Sequence, residues 1–165
     1  MGLFRANFAA AAAVLLLVSG CFTPESEKPI VLAPPPQEEI KIPPSKLVKV
    51  QHVLVSFEDK LGGKIIHRTQ EEAEKLAQEI MKRADSGESF DGLVEKYTDD
   101  QVPGIYTMAD YGVDPETLKG GISARSNMAV SFGDVSFSLE VGEVGIAEYD
   151  DVKSPYGYHV IKRLN

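Results

Sequence analysis

The chain has 165 residues, 43% of them apolar and 25% charged, with 17 basic against 25 acidic side chains and a net charge of −8. That length holds one ordinary domain of roughly 100 to 150 residues and little more, and the composition excludes whole-chain disorder, a collagen-like fibre and a multispan membrane protein. The charge opposes nonspecific attraction to nucleic acid or anionic lipid, and a single cysteine excludes an internal disulfide, a cysteine-built zinc site and a redox pair.

Residues 1 to 20 contain no acid; Arg5 precedes an apolar run from Phe8 to Val18, followed by Ser19, Gly20 and Cys21. This is the pattern of a secretory signal peptide. The run of 11 residues falls short of the roughly 20 needed to cross a bilayer as a helix, which disfavours a permanent transmembrane anchor. Val18-Ser19-Gly20-Cys21 resembles the bacterial lipobox, with Val where Leu is commoner. The resemblance implies that Cys21 is acylated and becomes the mature N-terminus, anchoring the chain to a membrane of the bacterial envelope with its body outside the cytoplasm. A plain signal peptide with an incidental cysteine is the weaker reading, because the small residues and the only thiol coincide where the apolar run ends. A lipidated Cys21 leaves no thiol for nucleophilic or redox chemistry. Without residues 1 to 20 the chain keeps 16 basic and 25 acidic side chains, a net −9.

Residues 21 to 46 carry the lipidated cysteine and a linker holding seven of the ten prolines, Pro24, Pro29, Pro34, Pro35, Pro36, Pro43 and Pro44. Such a segment cannot form a helix or an inner strand. The folded unit is residues 47 to 165. Val48, Val50, His52 and Leu54 alternate with Lys49, Gln51, Val53 and Val55, the pattern of a strand with at least one buried face. Thr69-Gln70-Glu71-Glu72 fits a capping box, and Ala73, Leu76, Ala77, Ile80, Met81 and Ala84 form the stripe of a long amphipathic helix ending near Gly87. Phe90, Leu93, Val94 and Tyr97 repeat the helical spacing on a shorter helix. From Thr98 to Asn127 the chain reads as a long irregular segment bent at Gly104, Gly112, Gly120 and Gly121, in which Ile105, Tyr106, Met108 and Tyr111 predict an extra strand or lid. Phe132, Val135 and Leu139 predict another short helix, and Glu143–Glu148 and Tyr156–Leu164 two strands. The predicted class is α+β, a small antiparallel sheet packed by helices.

His52 and His159 fall in the first and last strands of this unit, which are candidates for sheet neighbours. Metal binding wants further ligands, and neither His-Glu-x-x-His nor a cysteine cluster is present. The nucleophile elbow Gly-x-Ser-x-Gly is absent, as is a glycine-rich phosphate loop.

Eight stretches in order carry a family likeness: Gln51-His52-Val53-Leu54-Val55, Glu71-Glu72-Ala73, Gly87-Glu88-Ser89-Phe90, Tyr97-Thr98-Asp99-Asp100, Met128 to Phe132, Phe137-Ser138-Leu139, Gly142-Glu143-Val144, and Ser154-Pro155-Tyr156-Gly157-Tyr158-His159-Val160-Ile161-Lys162. Together, across essentially all of residues 48 to 165, they resemble a parvulin-type peptidyl-prolyl cis-trans isomerase. The resemblance implies a four-stranded antiparallel sheet surrounded by about four helices, rotation about X-Pro bonds as the activity, and no cofactor or metal. It implies that His52 and His159 lie side by side in the floor of the site, that Asp100 stands where parvulins have an aspartate or cysteine, and that Ser154 supplies a hydroxyl to the histidine pair. Met128 and Phe132 then belong to the pocket for the proline ring. Folding exported proteins with X-Pro bonds become the expected partners. The alternative is a noncatalytic chaperone module that holds extended clients in the same groove.

Two stretches depart from the family pattern. Many parvulins carry Gly-Gly-Asp-Leu-Gly shortly before the pocket methionine; here Ala109-Asp110-Tyr111-Gly112 is the nearest match, well separated from Met128. An insertion follows, and the pocket wall falls either to Tyr111 or to Gly120-Gly121-Ile122. Phosphate-selective parvulins carry a basic cluster after the first strand, whereas Ser56 to Lys64 mixes acids with lysines and has no arginine pair. Selectivity for phosphoserine-proline is not expected.

Overall fold

The computed structural model describes residues 46–165. The signal peptide, Cys21 and the proline-rich linker up to residue 45 lie outside the described residues.

The first strand, β1 (Leu47–Val55), is central in a five-stranded sheet of order β3-β2-β1-β5-β4. Both of its faces are covered, which is why Val50 to Val55 are all buried. The α1 helix (Gln70–Asp85) starts at the predicted box, where the Glu72 amide donates to Thr69 Oγ1 (3.3 Å) and the Thr69 amide to Glu72 Oε2 (2.8 Å). It ends where Gly87, at φ +92°, lets the amides of Gly87 and Glu88 turn back onto the carbonyls of Ala84 and Arg83. After α2 (Phe90–Tyr97), capped by Ser89, the chain reaches β2 (Ile105–Ala109), antiparallel to β1 with Val50 opposite Tyr106 and Val48 opposite Met108. The predicted extra strand is thus present.

Beyond β2 the expectation of a wholly antiparallel four-stranded sheet is corrected. Residues 110–122 carry the chain out and back, so that β3 (Ser123–Ala124) re-enters in the same direction and pairs parallel with Met108 and Ala109. A tight hairpin would have reversed the direction, whereas this excursion restores it. The four expected helices are also corrected. Among the described residues α1, α2 and α3 (Val130–Ser138) are the α-helices, with short 3-10 turns at Pro115–Thr117 and Arg125–Asn127. Glycines 112, 120 and 121, all at positive φ, leave no uninterrupted run in the excursion long enough to nucleate an α-helix. The last two strands, β4 (Val144–Ala147) and β5 (Tyr158–Arg163), are antiparallel neighbours, and β5 pairs with β1.

Sheet alternation sorts the core into two layers. Val53, Val55, Tyr158 and Val160 meet Ala73, Ala77 and Ile80 of α1 and Phe90, Leu93 and Val94 of α2. On the opposite face Val48, Val50, Met108 and Ile161 meet Phe132 of α3, with Leu139 and Ala147. Each fully buried Val, Leu, Ile or Phe in these layers contributes about 1.5–3 kcal/mol.

Candidate functional site

On the α3 side of the sheet, register brings the two histidines together. His52 is opposite Ile161 and His159 opposite Leu54, so the imidazoles are diagonal neighbours on one face. Their Nδ1 atoms lie 3.1 Å apart and the rings stack at 16° with centroids 5.3 Å apart. Phe132 meets both edge-on, at 5.2 Å from His52 and 5.3 Å from His159.

Asp100 arrives from the turn after α2. Thr98 Oγ1 accepts from the amides of Leu54 and Asp100, and the Asp99 amide donates to the Leu54 carbonyl, which pins this turn to β1. The two adjacent acids then part. Asp99 takes Arg68 and the Ser56 amide, whereas Asp100 Oδ2 lies 3.1 Å from His52 Nε2 and 3.0 Å from Tyr106 Oη.

Electrostatics fixes the direction of these bonds. The hydrogen bond from His52 holds the Asp100 carboxyl well below the usual carboxylate range, and a carboxylate only accepts, so His52 Nε2–H and Tyr106 Oη–H are the donors. Burial, with His52 beside it, pushes His159 down to about 3, so this ring is neutral at physiological pH. One Nδ1–H shared between the facing Nδ1 atoms of His52 and His159 links the two rings. His159 Nε2 is buried with no partner among the described residues. Tyr106 and His52 donate to Asp100 and His159 stands beside His52, a row of polar side chains that ends on one anion.

Above this row opens a cleft of about 290 Å³. Its buried lining is His52, His159, Leu54 and Phe132; its more exposed lining is Leu61, Asp100, Tyr106, Asn127, Met128, Ala129 and Tyr156. The space suits one ring-sized apolar group beside a few polar atoms, at the lower limit of ligand pockets.

Of the expected site residues, His52, Asp100, Met128, Phe132 and His159 converge here. Ser154 does not reach the histidines: its buried hydroxyl donates to the Gly157 carbonyl (3.0 Å) and so closes the turn before β5. Tyr111 is 56% exposed and outside the cleft, with the Arg125 guanidinium over its ring at 4.8 Å. Gly120-Gly121-Ile122 is not in the lining either. The wall belongs instead to Tyr106, because strand alternation in β2 turns Tyr106 and Met108 to the His52 face while Tyr111 lies past the strand end. Sequence reading missed Tyr106, Leu61, Asn127 and Tyr156. Tyr106 had a signal in its alternation with Met108 beside a strand already carrying His52, and Tyr156 in its place within the stretch that ends on His159.

A family model for the PPIC-type PPIASE domain matches residues 38–165. Among curated proteins, the chain is 32% identical over 117 residues to the chaperone SurA of Chromohalobacter salexigens, covering 69% of this chain and 21% of that one. It is 34% identical over 89 residues to the foldase protein PrsA of Bacillus subtilis, covering 54% of this chain and 26% of that one. The chain thus spans about a quarter or less of the length of these relatives. Among solved structures, TbPIN1 superposes with a TM-score of 0.54 at 22% identity, covering 73% of this chain and 99% of that one. The peptidyl-prolyl isomerase ESS1 from Candida albicans does so with 0.53 at 20% identity, covering 76% and 66%. At such identities these two establish a shared fold.

Proposed function

The chain belongs to the PPIC-type PPIase domain family, and from that premise we propose that it catalyses cis-trans isomerisation of X-Pro bonds in exported proteins as they fold, from a lipid anchor on Cys21. The observation that carries the reading is the cleft itself, an apolar recess over a buried His52–His159 pair with an anionic Asp100 at its side.

The task is a torsion with a barrier of about 18–20 kcal/mol, set by amide resonance. Planar resonance places negative charge on the carbonyl oxygen, and twisting removes it. Met128 and Phe132 grip the pyrrolidine ring, exclude water and so deprive that charge of solvation. Asp100, kept ionised by His52 and Tyr106, repels negative charge on a carbonyl beside it and therefore disfavours the planar state relative to the twisted one. His159, neutral and buried, fixes the tautomer and tilt of His52 without moving a proton. The reaction needs no cofactor and no metal.

Phosphate selectivity finds no support in the loop after β1. Lys60 is engaged by Tyr149 and Asp151, Lys64 by the Asp99 carbonyl, and Arg68 by Asp99 and the Ser56 carbonyl. Placement in the envelope rests on the signal-peptide pattern of residues 1 to 20 and on relatives named a foldase and a chaperone.

The test is the isomerisation rate of a panel of X-Pro tetrapeptides with the full chain and its Met128→Ala, His159→Ala and Asp100→Ala variants, folding being checked by circular dichroism. Wild-type acceleration, with kcat/KM reduced about 10- to 100-fold in folded variants, is expected. Acceleration of a proline-limited refolding reaction at substoichiometric amounts separates an isomerase from a holding chaperone. No acceleration of any peptide would move the assignment to the chaperone.

A further inference from the structure

Arg125 is not in the lining of the cleft, and its side chain is only 16% exposed. Its guanidinium lies between two aromatic rings, 4.8 Å from the centroid of Tyr111 and 4.7 Å from that of Phe137. One end of its fork meets Asp110 Oδ1 at 2.9 Å, and the other meets Asp134. Its stem runs along Gly133, where an added Cβ would stand 3.1 Å from Arg125 Cγ.

These contacts join three separate pieces of chain. Asp110 and Tyr111 follow β2, Arg125 opens the 3-10 turn of residues 125–127, and Gly133, Asp134 and Phe137 belong to α3. The same turn leads directly into the cleft. The Met128 amide donates to the Arg125 carbonyl at 3.1 Å, and Asn127, Met128 and Ala129 are consecutive lining residues, facing Phe132 from α3. A planar fork that meets two carboxylates at once and presents two stacking faces fits this arrangement, Nε being buried without a partner among the described residues, whereas an ammonium would keep the charge and lose the second bond and both stacks.

Resting on the isomerase reading, we propose that Arg125 is a positioning residue: by clamping the excursion after β2 to α3 it holds the Asn127–Met128 wall at the distance from Phe132 that a proline ring requires. An apolar wall displaced by about 1 Å loses its grip on the ring, and misplacement of that size costs up to about 100-fold in rate.

Arg83 supplies a matched control on the opposite face of the sheet. It stacks on Tyr97 at 5.0 Å and pairs with Glu88 through two bonds of 2.6 Å, with side-chain exposure of 26%. The experiment compares full-length wild type, Arg125→Lys, Arg125→Met, Asp134→Asn and Arg83→Met. It reads kcat and KM for an X-Pro tetrapeptide and the ¹³C-methyl resonance of Met128 in the ligand-free chain, with folding checked by circular dichroism. Arg125→Lys and Asp134→Asn are expected to fold, to raise KM about 3- to 10-fold with a smaller change in kcat, and to shift or broaden the Met128 methyl signal. Arg83→Met is expected to lower the unfolding midpoint while leaving KM and the Met128 signal in place. A folded Arg125→Lys chain with wild-type KM and an unmoved Met128 signal overturns the proposal, as does an Arg83→Met chain that moves both equally. Should Arg125→Met fail to fold, Arg125→Lys and Asp134→Asn still decide. A wild-type chain without isomerase activity sinks the catalytic reading alone, and the Met128 signal then decides whether Arg125 sets the wall.

Discussion

His159 shows how one buried side chain ties site chemistry to stability. Sequence alone placed this histidine in the last strand; the fold adds that it is 6% exposed and that burial, with His52 beside it, pushes it down to about 3 from an ordinary 6.5. The unfolded chain therefore takes up a proton near pH 6.5, which the folded chain refuses until about pH 3. The contribution of neutral His159 is complete above pH 6.5 and is lost as pH falls through that window, by up to about 1.4 kcal/mol per pH unit. Asp100, also held below its ordinary range, adds a loss of the same sign at more acid pH, while Glu148, raised by its own burial, acts in the opposite sense. The readout is accordingly the difference between two chains. Urea unfolding between pH 7.5 and 5 is expected to show a declining free energy for wild type and a flatter one for His159→Phe, which keeps the ring volume. Parallel slopes would assign the pH dependence to other groups.

At the scale of elements, the turn before β5 positions the site more tightly than its short length conveys. Ser154 closes it through the Gly157 carbonyl, the Ser56 hydroxyl donates to the Tyr156 carbonyl, and β5 then delivers His159 opposite Leu54. Gly157 is at φ +136°, and a Cβ there would stand 2.5 Å from the Val55 carbonyl oxygen and 2.8 Å from Ser56 Cα, both backbone atoms. Neither can yield without moving β1, so Gly157→Ala is expected to cost about 3 kcal/mol or more, combining a backbone clash with a conformation L-residues avoid. Gly92, inside α2 with nothing nearer than 3.8 Å, is the contrast. There, alanine is expected to be neutral or stabilising by up to about 1 kcal/mol. Equal urea midpoints for the two variants would refute this account of the turn. Elements of this kind divide by legibility. The α1 start, the α2 stripe and the alternation of β1 lie in consecutive residues and were readable; that Ser154 serves a turn and not the histidines depends on a carbonyl three residues away whose direction is set by Gly157, and no side-chain pattern encodes it.

For the whole molecule, the α+β class and the pairing of the first and last strands followed from local patterns and the family likeness, but the parallel β3 did not. A two-residue strand carries no periodicity, and its direction depends on where the excursion of residues 110–122 returns. The same excursion transferred the pocket wall from Tyr111 to Tyr106, so the least legible part of the fold produced the least legible part of the site. Residues 21 to 165 carry a net charge of −9, which an anionic membrane surface repels, and among the described residues no helix is long and apolar enough to cross a membrane. The proposed function assigns retention at a membrane to Cys21, where acyl chains would contribute about 0.8 kcal/mol per buried CH₂ and more than one chain is needed for stable attachment. Between Cys21 and the first strand the sequence places 25 residues, Phe22 to Lys46, with seven of the chain's ten prolines, which the proposal assigns as the tether. Expressed in a bacterial host, the wild-type chain is expected in the membrane fraction with palmitate label, and Cys21→Ser in the soluble fraction without label. Both chains are expected to have the same kcat/KM on a soluble tetrapeptide, because the proposal gives Cys21 attachment and no part in the reaction. A Cys21→Ser chain that remains in the membrane fraction would refute the anchor, and one with reduced kcat/KM on a soluble peptide would refute the separation of tether from site.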